Sequence, residues 1–507
     1  MVILPLALGL SFALCLLLTP LASRLARRAG FLDRPDGRRK IHPHPIPLAG
    51  GVAIFATLCV VLGTVSWWSD ETAIWFADTN LSLPGLLGAG VILCIVGVID
   101  DRISLRGRHK LVGQVVAIVA LIACGVTVKT IDVFGLNLQL GFMAVPFTIF
   151  WMLGAINSLN LIDGMDGMVG CVGAAIALAI AALSVLSGQF ATAIVALTLV
   201  GAIFGFLCFN LPPARVYLGD CGSMLIGLIL GVMSLQSGLK GPTTVMLTIP
   251  LALMTIPIFD TMAAITRRTL TGRSIYTTDR GHLHHCLQRS GLSGRRVLIL
   301  VSCLCLLTGI GALTSMALHR QVFAVVSGVT VAGILLVTRL FGHAELSLLK
   351  KRVNAFLARL RHGHQEGHTH EVSVHLQGSA DWNELWESFT EVAAQLKLSS
   401  ICLDVNIPAM HERYHAFWDR FGAPPEDSQA WKVEAPLRLR DQIIGRIEIK
   451  GVCDQMPVFE KIAILGKIAE DIEQAVSLLA ESQVLTVPEP NKAWANPSVG
   501  LSTVSKT

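Results

Sequence analysis

Carboxylates stand at the ends of three long apolar segments of this chain. They are the adjacent pair Asp100-Asp101, the pair Asp163 and Asp166, and the single Asp220. Charge at the edge of the hydrocarbon is unfavourable and is usually retained for function. Carboxylate oxygens are ligands that Mg²⁺ prefers, and nearby basic residues can hold phosphate oxygens. The pattern therefore predicts a metal-dependent site that acts on phosphates at a membrane surface.

The first motif is the pair Asp100-Asp101, which is followed by a basic loop that ends at Lys110. Adjacent Asp residues can share a cation, or they can divide into a metal ligand and a base. Lys110 and the Arg residues of the loop can hold phosphate oxygens. The alternative for the Arg residues is a juxtamembrane cluster that only sets the membrane orientation.

The second motif places Asn157, Asn160, Asp163 and Asp166 three residues apart. On a continuous helix this spacing gives one polar stripe. The sequence Asp-Gly occurs twice, which predicts that the helix then breaks and lets backbone approach a ligand. The alternative is an ordinary polar turn at a helix end.

The third motif runs from Asn210 to Ser223, where Pro212-Pro213 is predicted to end a span. Asp220 lies close to glycines and is expected on an exposed tight turn before the next helix, where it suits a Mg²⁺ ligand. The alternative is that Asp220 or Ser223 caps this helix.

The fourth motif is a cluster of His282, His284 and His285. No Cys or Glu completes a zinc site with conventional spacing, so the cluster is expected to contact phosphate instead. Asp260 is expected either to face the same site or to form a salt bridge within the bundle. A weaker basic segment, with Lys40 and His42, suits an anionic lipid headgroup.

The segments that must position these side chains are long and apolar. Hydrophobic residues make up 53% of the chain and charged residues 15%, against roughly 25% charged residues in soluble domains. At about 20 residues per spanning helix, the sequence predicts an all-α polytopic membrane protein of about eleven transmembrane helices, followed by a small soluble α/β domain. The predicted spans are Val2–Leu21, Gly50–Trp68, Leu83–Ile99, Leu111–Val128, Gly141–Ile156, Met168–Gly188, Phe190–Leu211, Met224–Gly238, Pro242–Ile265, Val297–Leu318 and Val322–Phe341.

The basic residues predict the orientation of these spans. They concentrate in the first, third and ninth loops, which the positive-inside rule places in the cytoplasm. The N-terminus is then outside, and all four motifs and the C-terminal domain lie at the cytoplasmic face of a cell inner membrane. Because no charged region precedes the first apolar run, it is expected to remain as a helix and not to be cleaved as a signal peptide. The Cys residues show no metal-ligand spacing, and no structural disulfide is expected.

Composition divides the chain into four regions. They are a membrane domain (1–341), a basic, Gly/His-rich linker (342–370), a cytoplasmic α/β domain (371–486) and a tail (487–507) with a disordered composition. Strands are predicted at Glu371–Leu376, Ser400–Val405, Trp431–Leu439 and Ile443–Ile449, and helices at Trp382–Leu396 and Val458–Glu481. The α/β domain shows no catalytic constellation, so it is expected to regulate the membrane domain or to bind a partner.

Together the motifs resemble those of the polyprenyl-phosphate N-acetylhexosamine-1-phosphate transferases, the glycosyl transferase family 4 superfamily that contains the WecA-like and MraY-like enzymes. The resemblance covers the membrane domain and includes every motif in order. These are Asp-Asp from Asp100, Asn-x-x-Asn-x-x-Asp-Gly-x-Asp-Gly from Asn157, Gly-Asp-x-Gly-Ser from Gly219 and His-x-His-His from His282. The C-terminal domain lies outside the resemblance.

The resemblance implies transfer of a sugar-linked phosphate from a UDP-sugar to a polyprenyl phosphate such as undecaprenyl phosphate, with release of UMP. The lipid product would initiate cell-envelope polysaccharide synthesis. Because both reactants are anionic, a divalent cation is expected, Mg²⁺ with Mn²⁺ as a substitute. By matched position, Asp220 and Asp163 are metal ligands, and Asp100 and Asp101 are the catalytic carboxylates. Substrate contacts are implied for Asn160, Asp166, Asn210, Tyr217, Lys110, Arg280, His282, His284 and His285, and lipid-phosphate contacts are expected for Lys40 and His42.

Several alternatives stay open at this point. The pattern His-x-His-His, with Arg280 two residues before it, resembles the branch that uses UDP-GlcNAc. The branch that uses UDP-MurNAc-pentapeptide has three consecutive His residues, and Leu283 interrupts such a triplet here. Another UDP-N-acetylhexosamine and UDP-MurNAc-pentapeptide are the alternative donors. A transporter also uses intramembrane carboxylates, but it typically has inverted repeats and a site at the midplane. The expected partners are the lipid, the UDP-sugar and the membrane, with no nucleic acid. A homodimer and a regulator bound to the C-terminal domain are also compatible with the sequence.

Overall fold

The computed structural model describes residues 2–33, 44–68, 70–77, 81–238, 244–270, 281–362, 370–377, 382–396, 398–407, 412–419, 430–439 and 442–452. The chain divides into two compact units, Met1–His343 and Ala344–Thr507.

The first unit is a bundle of apolar helices with two small sheets. Its helices are α1 (Ile3–Arg28), α2 (Gly50–Ser66), α3 (Asp70–Ala77), α4 (Leu83–Ile103), α5 (Gly107–Ala123), α6 (Ala144–Ile162), α7 (Met168–Leu186), α8 (Phe190–Asn210), α9 (Gly219–Ser237), α10 (Thr248–Leu253), α11 (Thr255–Leu270), α12 (Leu283–Arg289), α13 (Gly294–Ala317) and α14 (Val322–Val337). Its strands are β1 (Leu32–Asp33), β2 (Ile46–Pro47), β3 (Thr130–Val133), β4 (Leu136–Gln139) and β5 (Thr244–Met246). Strands β1 and β2 pair antiparallel, and β3 lies between antiparallel β4 and parallel β5.

The helices of the first unit are long and apolar enough for a multi-pass membrane protein. Within the described residues, seven helical segments meet this criterion, namely α1, α4, Gly141–Ile162 (which contains α6), α7, α8, α9 and α13. Helices α2 and α14 are apolar but shorter, with 17 and 16 residues. The predicted count of eleven spans is therefore not confirmed. The predicted orientation and inner-membrane location stay predictions.

One predicted span, Pro242–Ile265, is wrong as a single helix. The described part of this segment forms strand β5, then α10, and then α11 after a break at Met254. Pro257 lies in the first turn of α11, where its missing N–H group leaves no helical hydrogen bond unmade. Helix α5 also ends at Ala123, before the predicted end of its span at Val128. An apolar run predicts burial in lipid, but it does not show where a helix is interrupted.

Close helix packing brings the ends of α4, α6 and α9 together. At Gly97 of α4, an added Cβ would overlap the backbone of Cys221 in the first turn of α9. Farther along α9, the Trp151 indole N–H donates to the Gly231 carbonyl oxygen over 3.1 Å. Helices that touch this closely hold their ends at fixed positions. The polar side chains at these ends are therefore positioned by packing in the apolar part of the bundle.

Helix α15 (His343–His362) begins at the boundary between the units, in the stretch predicted as a linker. The second unit contains β6 (His370–Gln377), α16 (Asn383–Gln395), β7 (Leu398–Ile407), β8 (Glu412–Asp419), β9 (Ala430–Leu439) and β10 (Gln442–Val452). The strands form one sheet in the order β6-β8-β7-β10-β9, and every neighbouring pair is antiparallel.

The core of the second unit contains Trp382, which directly precedes α16, and Trp386 and Phe389 within α16. Apolar residues of the sheet complete this core. The four predicted strands and the first predicted helix are present, but β8 was missed. Because every described strand pair is antiparallel, this region is α+β and not α/β with alternating parallel units. The predicted helix Val458–Glu481 and the tail 487–507 lie outside the described residues.

Candidate active site

The carboxylates of α4 and α9 meet around one ammonium group. Lys110, near the start of α5, places its Nζ atom 2.8 Å from Asp100 Oδ2 and 3.2 Å from Asp220 Oδ1. Asp100 is 8% exposed and Asp220 is 33% exposed. Asp100 therefore lies on the buried side of the cluster, and Asp220 lies on the side that is open to solvent. The second Asp100 oxygen accepts from the Leu105 N–H over 2.7 Å. The structure thus joins two predicted carboxylates and the predicted basic residue in one cluster.

Asp101 holds the first turn of α9 in place. Its Oδ1 atom accepts from the backbone N–H of Asp220 over 3.0 Å, and this N–H is one that the helix itself leaves without a partner. Gly219 has a φ of +73° and lies so close to Asp101 that an added Cβ would crowd the carboxylate. Asp220 therefore lies in the first turn of α9. The prediction that it lies on a tight turn before the helix is wrong. Neither Asp220 nor Ser223 is the N-cap, which is Leu218.

Asn160 connects the second motif to the third. Its Nδ2 atom donates to Asp220 Oδ1 over 2.5 Å and to Ser223 Oγ over 2.9 Å. One turn earlier on α6, Asn157 exchanges two hydrogen bonds with the Gln114 amide of α5, over 2.8 and 3.2 Å. The two Asn residues of the predicted stripe therefore share one side of α6 and fix α5 and α9 against it. Asp163 and Asp166 lie beyond the end of α6 at Ile162, so the stripe stops before the two carboxylates.

Asp163, directly after α6, lies in the field of the other carboxylates. Desolvation, together with the negative charges of Asp220 and Asp101, raises the pKa of Asp163 to about 8. Carboxylates that crowd in this way are a suitable donor set for a hard divalent cation. Within the described ranges, no three His, Cys, Asp or Glu residues form a ready cation site. Mg²⁺ is usually held by one or two carboxylates with waters and substrate phosphates, and the residues present fit that open kind of site.

Two of the predicted substrate-binding residues, Asn210 and Asp166, fix the loops beside the site, and their substrate contacts stay predictions. Asn210 is buried; its Oδ1 atom accepts from the Gly167 N–H over 3.0 Å, and its Nδ2 atom donates to the Val216 carbonyl over 2.9 Å. Asp166 Oδ2 accepts from the Ala214 N–H over 2.9 Å. Both side chains tie the loop after α6 to the loop before α9. The predicted nucleotide contact of Asn210 would compete with these two hydrogen bonds.

Tyr217 anchors the segment 47–50, which leads into α2, through its backbone. Its N–H donates to the Pro47 carbonyl over 2.9 Å, and its carbonyl accepts from Ala49 and Gly50 at 3.3 and 3.0 Å. Desolvation and the charges of Asp166 and Asp33 raise the pKa of the Tyr217 phenol to about 12. Tyr217 therefore stays protonated and can donate a hydrogen bond at neutral pH.

The His cluster is held by Asp260. Its two carboxylate oxygens accept from His282 Nδ1 over 2.8 Å and from the Leu283 N–H over 2.7 Å. Because the Asp260 carboxylate can only accept, His282 Nδ1 carries a proton and Nε2 is left for another partner. Asp260 is fully buried. Of the two roles predicted for it, the structure shows an interaction within the bundle that orients a residue of the fourth motif.

His284 brings the fourth motif against the second. At Gly164 an added Cβ would overlap the imidazole of His284, and the two rings of His284 and His285 have centroids 4.1 Å apart. Burial, followed by the neighbouring His285 and His282, lowers the pKa of His284 well below its usual 6.5. Neither ring nitrogen of His284 has a hydrogen-bond partner among the residues that the structure describes. A neutral, buried imidazole therefore borders the acidic loop.

Three predicted residues, Arg280, Lys40 and His42, lie outside the described residues, and their contacts stay predictions. Three contacts in this region were not predicted from the sequence. They are the hydrogen bond of Ser223 with Asn160, the hydrogen bonds of Gln114 with Asn157 and the packing of the buried Arg267. Arg267 lies against Gly281, where an added Cβ would overlap the guanidinium. A signal for Arg267 was present, because it lies two helical turns after Asp260 on the same face of α11. No local signal marks Gln114 as the partner of Asn157, since 43 residues separate them.

Comparison with known proteins places the first three motifs within a known family. The model of the family "Glycosyl transferase family 4" matches residues 83–238, which contain the first three motifs. The chain is 30% identical over 288 residues to a "Probable undecaprenyl-phosphate N-acetylglucosaminyl 1-phosphate transferase" of Bacillus subtilis, covering 56% of this chain and 77% of the relative. It is 32% identical over 335 residues to a "Decaprenyl-phosphate N-acetylglucosaminephosphotransferase" of Mycobacterium tuberculosis, covering 61% and 82%. An Escherichia coli "Undecaprenyl-phosphate alpha-N-acetylglucosaminyl 1-phosphate transferase" is 27% identical over 300 residues, covering 58% and 78%.

Proposed function

The chain belongs to glycosyl transferase family 4, and we propose that it transfers N-acetylglucosamine-1-phosphate from UDP-GlcNAc to undecaprenyl phosphate. An oxygen of the lipid phosphate would form a bond to the sugar-linked phosphorus of the donor. The bond from that phosphorus to the bridging oxygen would break, and UMP would leave. The observation that carries the proposal is the cluster in which Lys110 joins Asp100 and Asp220 at the helix ends.

The protein groups of the cluster suit the control of two anionic reactants. A phosphate monoester has a second pKa near roughly 6, so the lipid phosphate is largely ionised at neutral pH. Positioning then matters more than removal of a proton. Asp100 would orient the lipid phosphate, and Lys110 would supply a positive charge to the diphosphate. We favour direct in-line attack without a covalent enzyme intermediate.

Asp220 and Asp163 are the proposed ligands of Mg²⁺, with Asp101 holding the turn that carries Asp220. When bound, Mg²⁺ would neutralise charge on the donor diphosphate. Support comes from the surroundings of Asp163, where burial, followed by the negative charges of Asp220 and Asp101, raises the pKa of its carboxyl to about 8. Asn160 would orient the Asp220 carboxylate through its hydrogen bond to Oδ1.

The fourth motif is proposed to contact the donor diphosphate and sugar. Asp260 fixes His282 with Nε2 as the nitrogen left for a ligand. His284 is buried against the second motif and has no described hydrogen-bond partner, which suits a neutral imidazole that contacts the donor. Arg280 and His285 remain proposed contacts from the same motif.

The choice of UDP-GlcNAc rests on the His-x-His-His pattern and on the printed names of the relatives. In this chain Leu283 interrupts the triplet that resembles the branch using UDP-MurNAc-pentapeptide. The three relatives compared above are all named for N-acetylglucosamine transfer. Membership of a transferase family also argues against the interpretation of these carboxylates as parts of a transporter.

Release of UMP by the full-length protein in detergent tests the proposal. The protein would receive undecaprenyl phosphate and either UDP-GlcNAc, UDP-GalNAc or UDP-MurNAc-pentapeptide, with Mg²⁺ or with EDTA. We expect lipid-dependent UMP release with UDP-GlcNAc, supported by Mg²⁺ or Mn²⁺ and abolished by EDTA. Release only with another donor would overturn the sugar assignment, and full activity in EDTA would overturn the metal assignment.

A further inference from the structure

The hairpin of β3 and β4 lies at the end of the bundle opposite the candidate active site. Helix α5 runs away from Lys110 and ends at Ala123, and α6 returns from Ala144 to Asn160. The hairpin Thr130–Gln139 joins the two helices at the far end. These helices carry Lys110 and Asn160, the two side chains that contact Asp220 at the site.

The hairpin has one polar face and one apolar face. The antiparallel register places Ile131 opposite Leu138 and Val133 opposite Leu136, so these four apolar residues share a face. Ile131 is buried, but Leu136 is 70% exposed and Leu138 is 56% exposed. Residues Asn137 and Gln139 are also exposed and lie on the opposite face of the same strand. Strand β4 therefore presents two leucines without a described apolar covering.

The polar face fixes the hairpin to the rest of the bundle. The buried Asp132 carboxylate accepts a hydrogen bond from the Gln321 amide at the start of α14. Gln321 Oε1 in turn accepts from the backbone N–H of Phe134 over 2.8 Å. Strand β3 also pairs with β5. The exposed leucines thus stand on a braced element and not on a free loop.

The tip of the hairpin carries another exposed apolar residue. Phe134 has a φ of +51° and precedes Gly135 at +89°, as in the two-residue turns that favour Asn-Gly. A bulky residue is strained in this region, yet the position is occupied by a Phe that is 58% exposed. After the hairpin, Phe142 is 89% exposed. The apolar surface continues along the chain to the exposed Phe150 of α6.

Length and charge identify the partner as the lipid bilayer. A helix of 17 residues is about 26 Å long, whereas the hydrocarbon layer is about 30 Å thick. Because the charged start of α5 must lie at one interface, Ala123 ends near the other interface and not in bulk water. From Thr130 to Phe150 the chain has one charged residue, Asp132, and it is buried. The exposed Lys129 stands directly before this stretch, at the base of the hairpin, where it suits the headgroup layer. An uncharged apolar surface at this depth matches lipid.

We propose that the β3–β4 hairpin is a membrane-interface anchor that inserts Phe134, Leu136 and Leu138 into the leaflet opposite the active site. Because β4 is an edge strand and open sheet edges are not stable in hydrocarbon, its backbone would lie among the headgroups while the side chains reach the acyl chains. The anchor would fix the depth of α5 and α6. It would thereby hold Lys110 and Asn160 at constant height in the bilayer.

Fluorescence quenching in nanodiscs tests this anchor in the full chain. An environment-sensitive fluorescent amino acid would replace Leu136 or Leu138 and, as matched controls on the opposite face, Asn137 or Gln139. Discs of phosphatidylcholine would carry a nitroxide either near the headgroup or at the end of the acyl chain. We expect several-fold stronger quenching by the shallow nitroxide at the two leucine positions than at the controls, and little quenching by the deep one.

Equal quenching at all four positions, or no quenching at any of them, would overturn the proposal. Discs that hold a single chain exclude coverage by a second copy, so a blue-shifted signal that disappears in such discs would assign the surface to a dimer and contradict lipid insertion.

Discussion

Replacing Lys110 with Met should separate two effects of one ammonium group. Lys110 contacts Asp100 at 2.8 Å and Asp220 at 3.2 Å, so Lys110→Met leaves two carboxylates without their cation. Loss of one partner of a fully buried ion pair is unfavourable by about 3–5 kcal/mol. Because Asp220 is 33% exposed and partly solvated, we expect a smaller loss of folding stability, about 2–3 kcal/mol. Lys110 is also the proposed positive charge beside the donor diphosphate, and removing one such donor lowers transition-state stabilisation by about 3 kcal/mol. This corresponds to a turnover lower by about 10²-fold.

The same substitution should change the metal requirement in the opposite direction. A Lys ammonium between Asp100 and Asp220 repels a divalent cation that approaches the same oxygens. Lys110→Met should therefore reach half of its own maximal rate at a lower Mg²⁺ concentration than the unmodified protein. A simple loss of folding would lower the rate without shifting this concentration.

The assay is UMP release with UDP-GlcNAc and undecaprenyl phosphate across a Mg²⁺ titration, with thermal unfolding of each variant as a check. Lys110→Arg retains the charge and should recover part of the activity. Arg108→Met removes a basic residue that is exposed on the same helix, and it should leave the rate nearly unchanged. Near-normal turnover of Lys110→Met, or an unchanged Mg²⁺ midpoint, would refute the proposed role.

Three further outcomes follow from the same geometry. Asp220→Asn should lower turnover by about 10²-fold or more if Asp220 is a metal ligand, and near-normal UMP release by the folded variant would exclude that role. Gly97→Ala should be destabilising by about 1–3 kcal/mol because its Cβ overlaps the backbone of Cys221. Gly88→Ala on the same helix is the control, since its Cβ meets open space. Equal melting temperatures of the two variants would contradict the packing of α4 against α9. His284 stays neutral in the folded protein because its pKa is lowered from 6.5, so below about pH 6.5 the unfolded chain binds a proton that the folded chain does not. The free energy of unfolding should then fall with decreasing pH by up to about 1.4 kcal/mol per unit, and thermal melts at pH values on both sides of this point should show a smaller drop for His284→Gln.

The sequence predicted the components of the site because their chemistry conflicts with their surroundings. Carboxylates at the edge of apolar segments are unfavourable unless they have a function, so Asp100, Asp163 and Asp220 could be found without a structure. Their convergence on one face was predicted from a count of eleven spans that is not confirmed. The contacts of Lys110 with Asp100 and Asp220 bring two of the three carboxylates together. The Asn160 stripe was also visible, because a spacing of three residues survives in the helix.

The partners of these residues could not be predicted from sequence. Asn160 and Asp220 are 60 residues apart in the chain, and nothing local to either residue specifies their contact. The position of Asp220 was predicted on a turn because Gly219 and Gly222 suggest one. In the structure Gly219 adopts a positive φ and begins α9 close to Asp101. The helix therefore begins at the first of the two glycines and includes Asp220.

The predicted boundaries of helices and strands were wrong where an apolar stretch contains a break in its backbone hydrogen bonding. The segment Pro242–Ile265 is apolar enough to predict one span, but its prolines permit a break that the hydropathy does not register. Strand β8 was missed because Glu412–Asp419 mixes charged and aromatic residues, and Phe417 between two core positions hides the alternation of apolar and polar residues. Its core residues Tyr414, Ala416 and Trp418 recur at every second position, which identifies the strand once the sheet is known.

The fate of the sugar-linked phosphate tests the central claim most directly. UDP-GlcNAc labelled at that phosphate would be incubated with undecaprenyl phosphate, Mg²⁺ and the purified protein, and the label would be followed together with UMP. The proposed reaction predicts label in the lipid fraction in an amount equal to the UMP released. Label that stays in the donor, or that appears as water-soluble GlcNAc-1-phosphate while UMP is formed, would contradict the transfer of this phosphate to lipid.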